Sequence, residues 1–235
     1  MTPAHPERSA RHMSLHPETR AAIRDSAPIW IAVMPFAAVF GALAVQAGWT
    51  PGQALLASGT IFAGASQYVA LDLWGQSVAP WIIVLTVFAV NFRHVLYSAS
   101  IGRRMEGWNW LQRLTAFAFM VDPAFAAAEA RGRSHGLTAR YFIAFGVTLW
   151  ITWMAANAVG VFFGGLIEDP AALGLDFILP IYFLALVVGM RGAPRFFGIV
   201  MAASLGAIAV QAFVGAPWHI LAGGFAGMAY AAARA

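Results

Sequence analysis

Arg93 and His94 stand inside an apolar run, Trp81 to Ile101, directly after Asn91 and Phe92. A helix needs about 20 apolar residues to cross the hydrocarbon core of a bilayer. The run therefore reads as one membrane helix with its basic pair a little past the middle. A guanidinium at that depth costs about 3 kcal/mol by insertion scales and is kept only where it faces protein or water and has a partner. A plainer reading ends the helix near Phe92 and takes the basic pair as its cytoplasmic end, by the positive-inside tendency. The stretch from Val95 to Ile101, mostly apolar until Arg103, speaks against it.

Among the carboxylates, only Asp122 lies deep inside an apolar segment, since Asp72 and Asp176 fall near segment ends. An intramembrane carboxyl must be paired or protonated. Burial and an arginine neighbour act on it in opposite senses, which makes Asp122 a candidate proton carrier. The plainer alternative is a static ion pair with Arg93 that holds the fold. His94 is a second candidate carrier, because imidazole titrates near neutrality; the alternative is donation to a backbone carbonyl.

Phe62-Ala63-Gly64-Ala65-Ser66-Gln67 sets small residues beside two hydrogen-bonding side chains. If the helix breaks at Gly64, the following half-helix turns its N–H groups into a cavity and forms an anion site. Otherwise the stretch is a small-residue packing face, with Ser66 bonded back to its own helix. Cation, carboxylate, amide and hydroxyl within apolar walls suit a small zwitterion with an apolar side chain. Its carboxylate would go to Arg93 or the Gly64 half-helix, its ammonium to Asp122 or backbone carbonyls. The candidate substrate-binding residues are Gly64, Ser66, Gln67, Asn91, Arg93 and Asp122; the candidate proton-coupling residues are Asp122 and His94.

The elements that must position them are membrane helices. The chain is 60% hydrophobic and 10% charged, well outside the range of soluble domains. The pattern is all-α, a polytopic helical bundle of six to eight hydrophobic segments, without the alternating strands of a membrane barrel. Residues 1–26 read as a disordered cytoplasmic tail and 27–235 as a single transmembrane transport domain. Segments fall near 27–47, 53–72, 81–101, 114–130, 141–166, 177–190, 196–214 and 218–233. Gly160 and Gly164 are spaced for close helix packing. Asp176 reads as a helix cap, and the tryptophans at 49, 81, 108, 110 and 218 as interfacial anchors. The chain has no cysteine, which excludes thiolate catalysis and thiolate metal sites. No zinc-protease His-Glu-x-x-His, Gly-x-Ser-x-Gly or Walker motif occurs, so neither an enzyme nor a cofactor is expected, and any pumping is ion-driven or done by a partner.

Eight simple spans with the N-terminus inside would place Arg103, Arg104 and Arg113 outside, against the positive-inside tendency. If segments 53–72 and 114–130 dip in and return, every basic loop and both termini lie in the cytoplasm. The acidic Glu168–Asp176 loop then lies outside. Those two segments carry mid-depth glycine, glutamine or Asp-Pro, and broken segments are tolerated where they line a cavity. Both are therefore expected to be broken or re-entrant.

The sequence resembles the AzlC family, the large subunit of branched-chain amino-acid exporters, over about residues 20 to 234. The resemblance is carried by Pro35 with Phe40-Gly41, by Phe62 to Gln67, by Asn91-Phe92-Arg93-His94, by Asp122 and by Gly174-Leu175-Asp176-Phe177. The family commonly has an acidic residue after the first aspartate, where this chain has Pro123. The resemblance implies export of leucine, isoleucine, valine and analogues across the bacterial inner membrane, driven by protons, with a small hydrophobic AzlD-type subunit as partner. The alternative from another class is a passive channel, or a membrane scaffold whose buried polar groups only stabilise helix packing. The topology can be checked by single-cysteine labelling: Arg104→Cys should react from the cytoplasmic face and Asp169→Cys from the outside. Labelling of position 104 from outside would restore eight simple spans.

Overall fold

A computed structural model describes residues 15–74, 78–164, 174, 177–215 and 218–234. Among these the chain is helical, with no strand. In chain order the helices are α1 (Pro17–Gln46), α2 (Pro51–Thr60), α3 (Gly64–Trp74), α4 (Pro80–Asn91), α5 (Arg93–Gly102), α6 (Trp110–Ala118), α7 (Asp122–Ser134), α8 (Ala139–Phe163), α9 (Ile178–Gly189), α10 (Phe196–Phe213) and α11 (Trp218–Ala233). Four stretches among the described residues are long and apolar enough to cross a membrane: α1, Pro80–Met105, α8 and α10.

The first helix begins at Pro17, inside the stretch expected to be a disordered tail. His16 Nδ1 accepts the Glu18 N–H at 3.2 Å, and Pro17 occupies the first turn, where its missing donor is harmless. The polar end is then tied to distant residues. Arg131 Nη2 and Thr138 Oγ1 donate to the Glu18 carboxylate at 2.8 and 2.7 Å, and the Tyr141 hydroxyl donates to Asp25 at 3.1 Å. Those tertiary bonds order a segment whose local composition reads as a tail. Residues 1–14 of that expectation, and Glu168, Asp169 and Asp176, lie outside the described residues.

α1 packs along α8 through small residues. A Cβ on Gly160 would collide with the Ala38 backbone, and one on Gly41 with the Asn157 carbonyl; Gly164 lies equally tight against Ala42. The close approach lets Asn157 Nδ2 donate to the Ala37 carbonyl at 3.3 Å and sets the Ser26 and Thr148 hydroxyls 3.1 Å apart. Such polar contacts and small-residue packing drive association where lipid is as apolar as the helix faces. Around this pair lies an aromatic core of Phe36, Phe40, Tyr68 and Trp153, with Phe36 stacked on Tyr68 at 4.6 Å.

Segments 53–72 and 114–130 are both broken, as expected, and both are built alike. α2 opens on a reciprocal cap between Thr50 and Gln53, and α6 on one between Asn109 and Gln112. Each runs about three turns before stopping at residues 61–63 and 119–121, after which α3 and α7 begin. The third segment forms one apolar stretch, Pro80–Met105, as expected, with a single-residue interruption at Phe92 between α4 and α5, where the backbone stays right-handed helical (φ −55°, ψ −27°). There the ladder tightens: Val95 N–H bonds to the Phe92 carbonyl at 3.0 Å. The His94 ring donates from Nδ1 to the Asn91 carbonyl at 3.0 Å. The histidine thus satisfies a carbonyl that a regular helix would have given to Val95.

The α1–α8 seam generates a stability prediction. Gly160→Ala should lower stability by about 1–3 kcal/mol, since the added methyl must displace backbone rather than a side chain. Gly102→Ala, where a Cβ meets open space, should stay within about 0.5 kcal/mol. Thermal unfolding of the two variants in detergent measures the contrast.

Candidate functional site

Three half-helices begin at one place. The first residues of α3, α5 and α7 are Gly64, Arg93 and Asp122, and all three line one small cavity of about 40 Å3. Its walls are completed by Phe62, Ala63, Ala65, Val121 and Pro123 at the breaks, and by Phe36 and Trp153 from α1 and α8. The first N–H groups of a helix lack intrahelical partners and carry partial positive charge. In α3 the Ser66 and Gln67 N–H groups return to the Ala63 carbonyl at 2.9 and 3.1 Å. The donors on the cavity wall are therefore those of Gly64 and Ala65. The indole N–H of Trp153 is buried and has no hydrogen-bond partner among the described residues.

Arg93 Nη1 lies 3.0 Å from Asp122 Oδ1, with the two side chains 20% and 12% exposed. The same carboxylate oxygen accepts the Tyr97 hydroxyl at 2.6 Å, and the Tyr97 ring stacks on Phe125 at 4.3 Å. Tyr97 is absent from the residues expected from sequence. The signal that points to it is spacing, because it sits one turn after Arg93 on α5 and so shares its face. A charge pair this enclosed is favourable only when its remaining bonding capacity is met. Here a phenol and the start of α7 both contribute, and an acidic residue in a first turn complements the helix dipole. Pro123, within that first turn, removes a donor that would have no intrahelical acceptor.

The other expected residues stand behind this cavity rather than on its wall. Ser66 Oγ donates to Asn91 Oδ1 at 2.5 Å, joining α3 to the end of α4. Gln67, 2% exposed, donates through Nε2 to the carbonyls of Ile61 and Ala57 at 2.6 and 3.2 Å, which bridges the break between α2 and α3. His94 is bonded to Asn91 as described. The structure thus brings Gly64, Arg93 and Asp122 together. Ser66, Gln67, Asn91 and His94 hold the broken ends of the helices that carry them.

Two larger cavities adjoin the small one. The first, about 720 Å3, lies between α1 and α7 with Arg24, Asp25, Arg131 and His135 on its walls, and it shares Val33 and Pro123 with the small cavity. The second, about 360 Å3, shares Ala65 and Arg93 with it. Chemically, the centre can offer an anion one guanidinium and two backbone donors, and offer a cation one carboxylate. At about 40 Å3 it has room for only a water or two in this state.

Comparison with known proteins places this arrangement in a lineage. The chain is 32% identical over 206 residues to the inner membrane protein YgaZ of Escherichia coli, covering 85% of this chain and 84% of that relative. It is 30% identical over 165 residues to a membrane protein of Archaeoglobus fulgidus, covering 69% and 71% of the two chains. It is 24% identical over 183 residues to the branched-chain amino acid transport protein AzlC of Bacillus subtilis, covering 75% and 71%. No solved structure matches. The model of the AzlC protein family matches residues 28–167, the stretch that holds all three half-helix starts, and the chain belongs to the AzlC family.

Proposed function

We propose that the protein is the large subunit of a secondary transporter that exports branched-chain amino acids across the bacterial cytoplasmic membrane in exchange for protons. The observation that carries this reading is the meeting of three half-helix starts around the Arg93–Asp122 pair. Broken helices that turn their ends toward a central cavity are the means by which secondary transporters bind charged substrates within the bilayer. Membership of the AzlC family, and the printed name of the Bacillus subtilis relative as a branched-chain amino acid transport protein, support a membrane amino-acid transport role.

In this mechanism the incoming carboxylate takes Arg93 and the Gly64 and Ala65 N–H groups. The ammonium takes Asp122. Substrate and proton then compete for one carboxylate, which couples their movements. Arg93 keeps its charge throughout, because guanidinium does not lose its proton in proteins. Tyr97 positions the carboxylate, while His94, whose Nδ1–H is committed to the Asn91 carbonyl, holds the α4–α5 break. Both termini and the basic loops face the cytoplasm. A small hydrophobic membrane subunit of the AzlD type covers the backbone of the broken segments, since lipid cannot satisfy it.

The competing reading is a passive channel or a helix scaffold. The bonds that Ser66, Asn91 and Gln67 already make among themselves and to backbone favour the scaffold. Efflux of preloaded labelled leucine from vesicles, with and without the small subunit and an imposed pH gradient, separates the readings. A pump responds to the gradient, whereas a channel does not. Removing one member of the pair should be worse for folding than removing both, because a lone buried charge costs about 3–5 kcal/mol. Asp122→Asn should abolish gradient-driven efflux at reduced expression, and Arg93→Ala should fold poorly. The double substitution should recover folding without transport. Near wild-type leucine efflux by the double variant would make the pair structural and place the site elsewhere.

A further inference from the structure

An amino acid whose carboxylate reaches Arg93 must put its side chain somewhere, and the cavity around the Arg93–Asp122 pair is too small for it. Also lined by Arg93 is the cavity of about 360 Å3 bounded by α3, α4, α5 and α11. That volume falls in the range of small-molecule pockets, about 300–1,000 Å3. Among the described residues, Arg93 is its only charged or polar lining residue; Val69, Ala89, Leu96, Ile220, Phe225 and Met228 are among the apolar ones. The shared wall of Ala65 and Arg93 sets it beside the pair. The wider cavity between α1 and α7 touches neither residue and carries charged groups at Arg24, Asp25 and Arg131.

We infer that the α3–α4–α5–α11 pocket seats the apolar side chain of the transported amino acid and sets selectivity by size, with Arg93 holding the carboxylate at its mouth. This rests on the reading of the Arg93–Asp122 pair as the transport site. The chemistry follows from the lining. A hydroxyl, amide or carboxylate side chain would lose its hydration there without a replacement partner, whereas a branched aliphatic chain meets matched surface. Hydrophobic pockets reject extra bulk more strongly when a wall residue grows into the same space.

α11 supplies a clean way to change that space. Gly223 and Gly227 pack against Ala203 of α10, so α11 is held from its other face. Gly224 lines the pocket, and a Cβ there meets nothing within 4 Å. A side chain at 224 therefore grows into open space without displacing α11 from α10. Phe225 lines the same pocket, with its ring 6.3 Å from that of Phe92.

The test is competition among alanine, valine, leucine and phenylalanine for labelled leucine transport in the vesicles described above. Gly224→Leu should reduce leucine relative to alanine by about tenfold, and Phe225→Ala should raise phenylalanine relative to leucine by about the same factor, the scale of discrimination an apolar pocket supports. Should Gly224→Leu fail to insert, Phe225→Ala decides alone. An unchanged rank order in a well-folded variant, with wild-type leucine flux intact, would overturn the pocket alone and assign the groove to a lipid chain or a partner helix. A wild-type protein that moves none of these amino acids would overturn the transport reading and the pocket with it.

Discussion

A guanidinium placed among apolar residues at membrane depth dictates much of what surrounds it. Arg93 cannot discharge itself, so the fold must supply a counter-ion and keep both groups hydrogen-bonded. Asp122 supplies the charge at 3.0 Å, and Tyr97, from the same face of α5, donates to the same carboxylate oxygen. Both charged residues open a helix. For Asp122 this placement is favourable in itself, as a carboxylate in a first turn meets the positive end of the helix dipole. The interaction therefore fixes where α7 must start relative to α5, and with it the position of the second broken segment.

Every break in a membrane helix exposes carbonyls and N–H groups that lipid cannot satisfy. At two of the three breaks the chain answers with a nearby side chain. Gln67 crosses the first break to the Ile61 and Ala57 carbonyls, His94 takes the Asn91 carbonyl at the second, and Ser66 ties Asn91 to α3. These residues were attractive as ligands because they are polar at membrane depth. In the fold their polarity is used first to stabilise the discontinuities, and the discontinuities in turn make the cavity.

The rigid frame behind the cavity is α1 against α8. Glycines at 41, 160 and 164 bring the two backbones together, and side chains from both helices, Phe36 and Trp153, close the cavity wall. By contrast α10 buries none of its residues against the rest of the described chain and packs mainly on α11. The centre of the molecule therefore combines one tightly interlocked helix pair with three half-helices anchored by hydrogen bonds.

The sequence by itself determined the helical membrane class, the two broken segments and the family, because each rests on local pattern. Apolar run length sets the class, mid-segment Gly64 and Asp122-Pro123 mark the breaks, and the motifs from Phe62 to Asp122 mark the lineage. Asp122 was also legible as the counter-charge to Arg93, being the one carboxylate set deep in a segment. Tertiary structure alone decided the rest. Docking of Glu18 and Asp25 against Arg131, Thr138 and Tyr141 turned an expected tail into the start of α1. The interruption at Phe92 depends on a histidine side chain competing for a backbone carbonyl, which apolar periodicity does not register. Convergence of Gly64, Arg93 and Asp122, and the placing of Ser66, Gln67 and Asn91 behind them, depend on how separate helices approach one another. Hydropathy is a property of each segment, whereas a counter-charge, a cap and a cavity wall are properties of pairs of segments far apart in the chain.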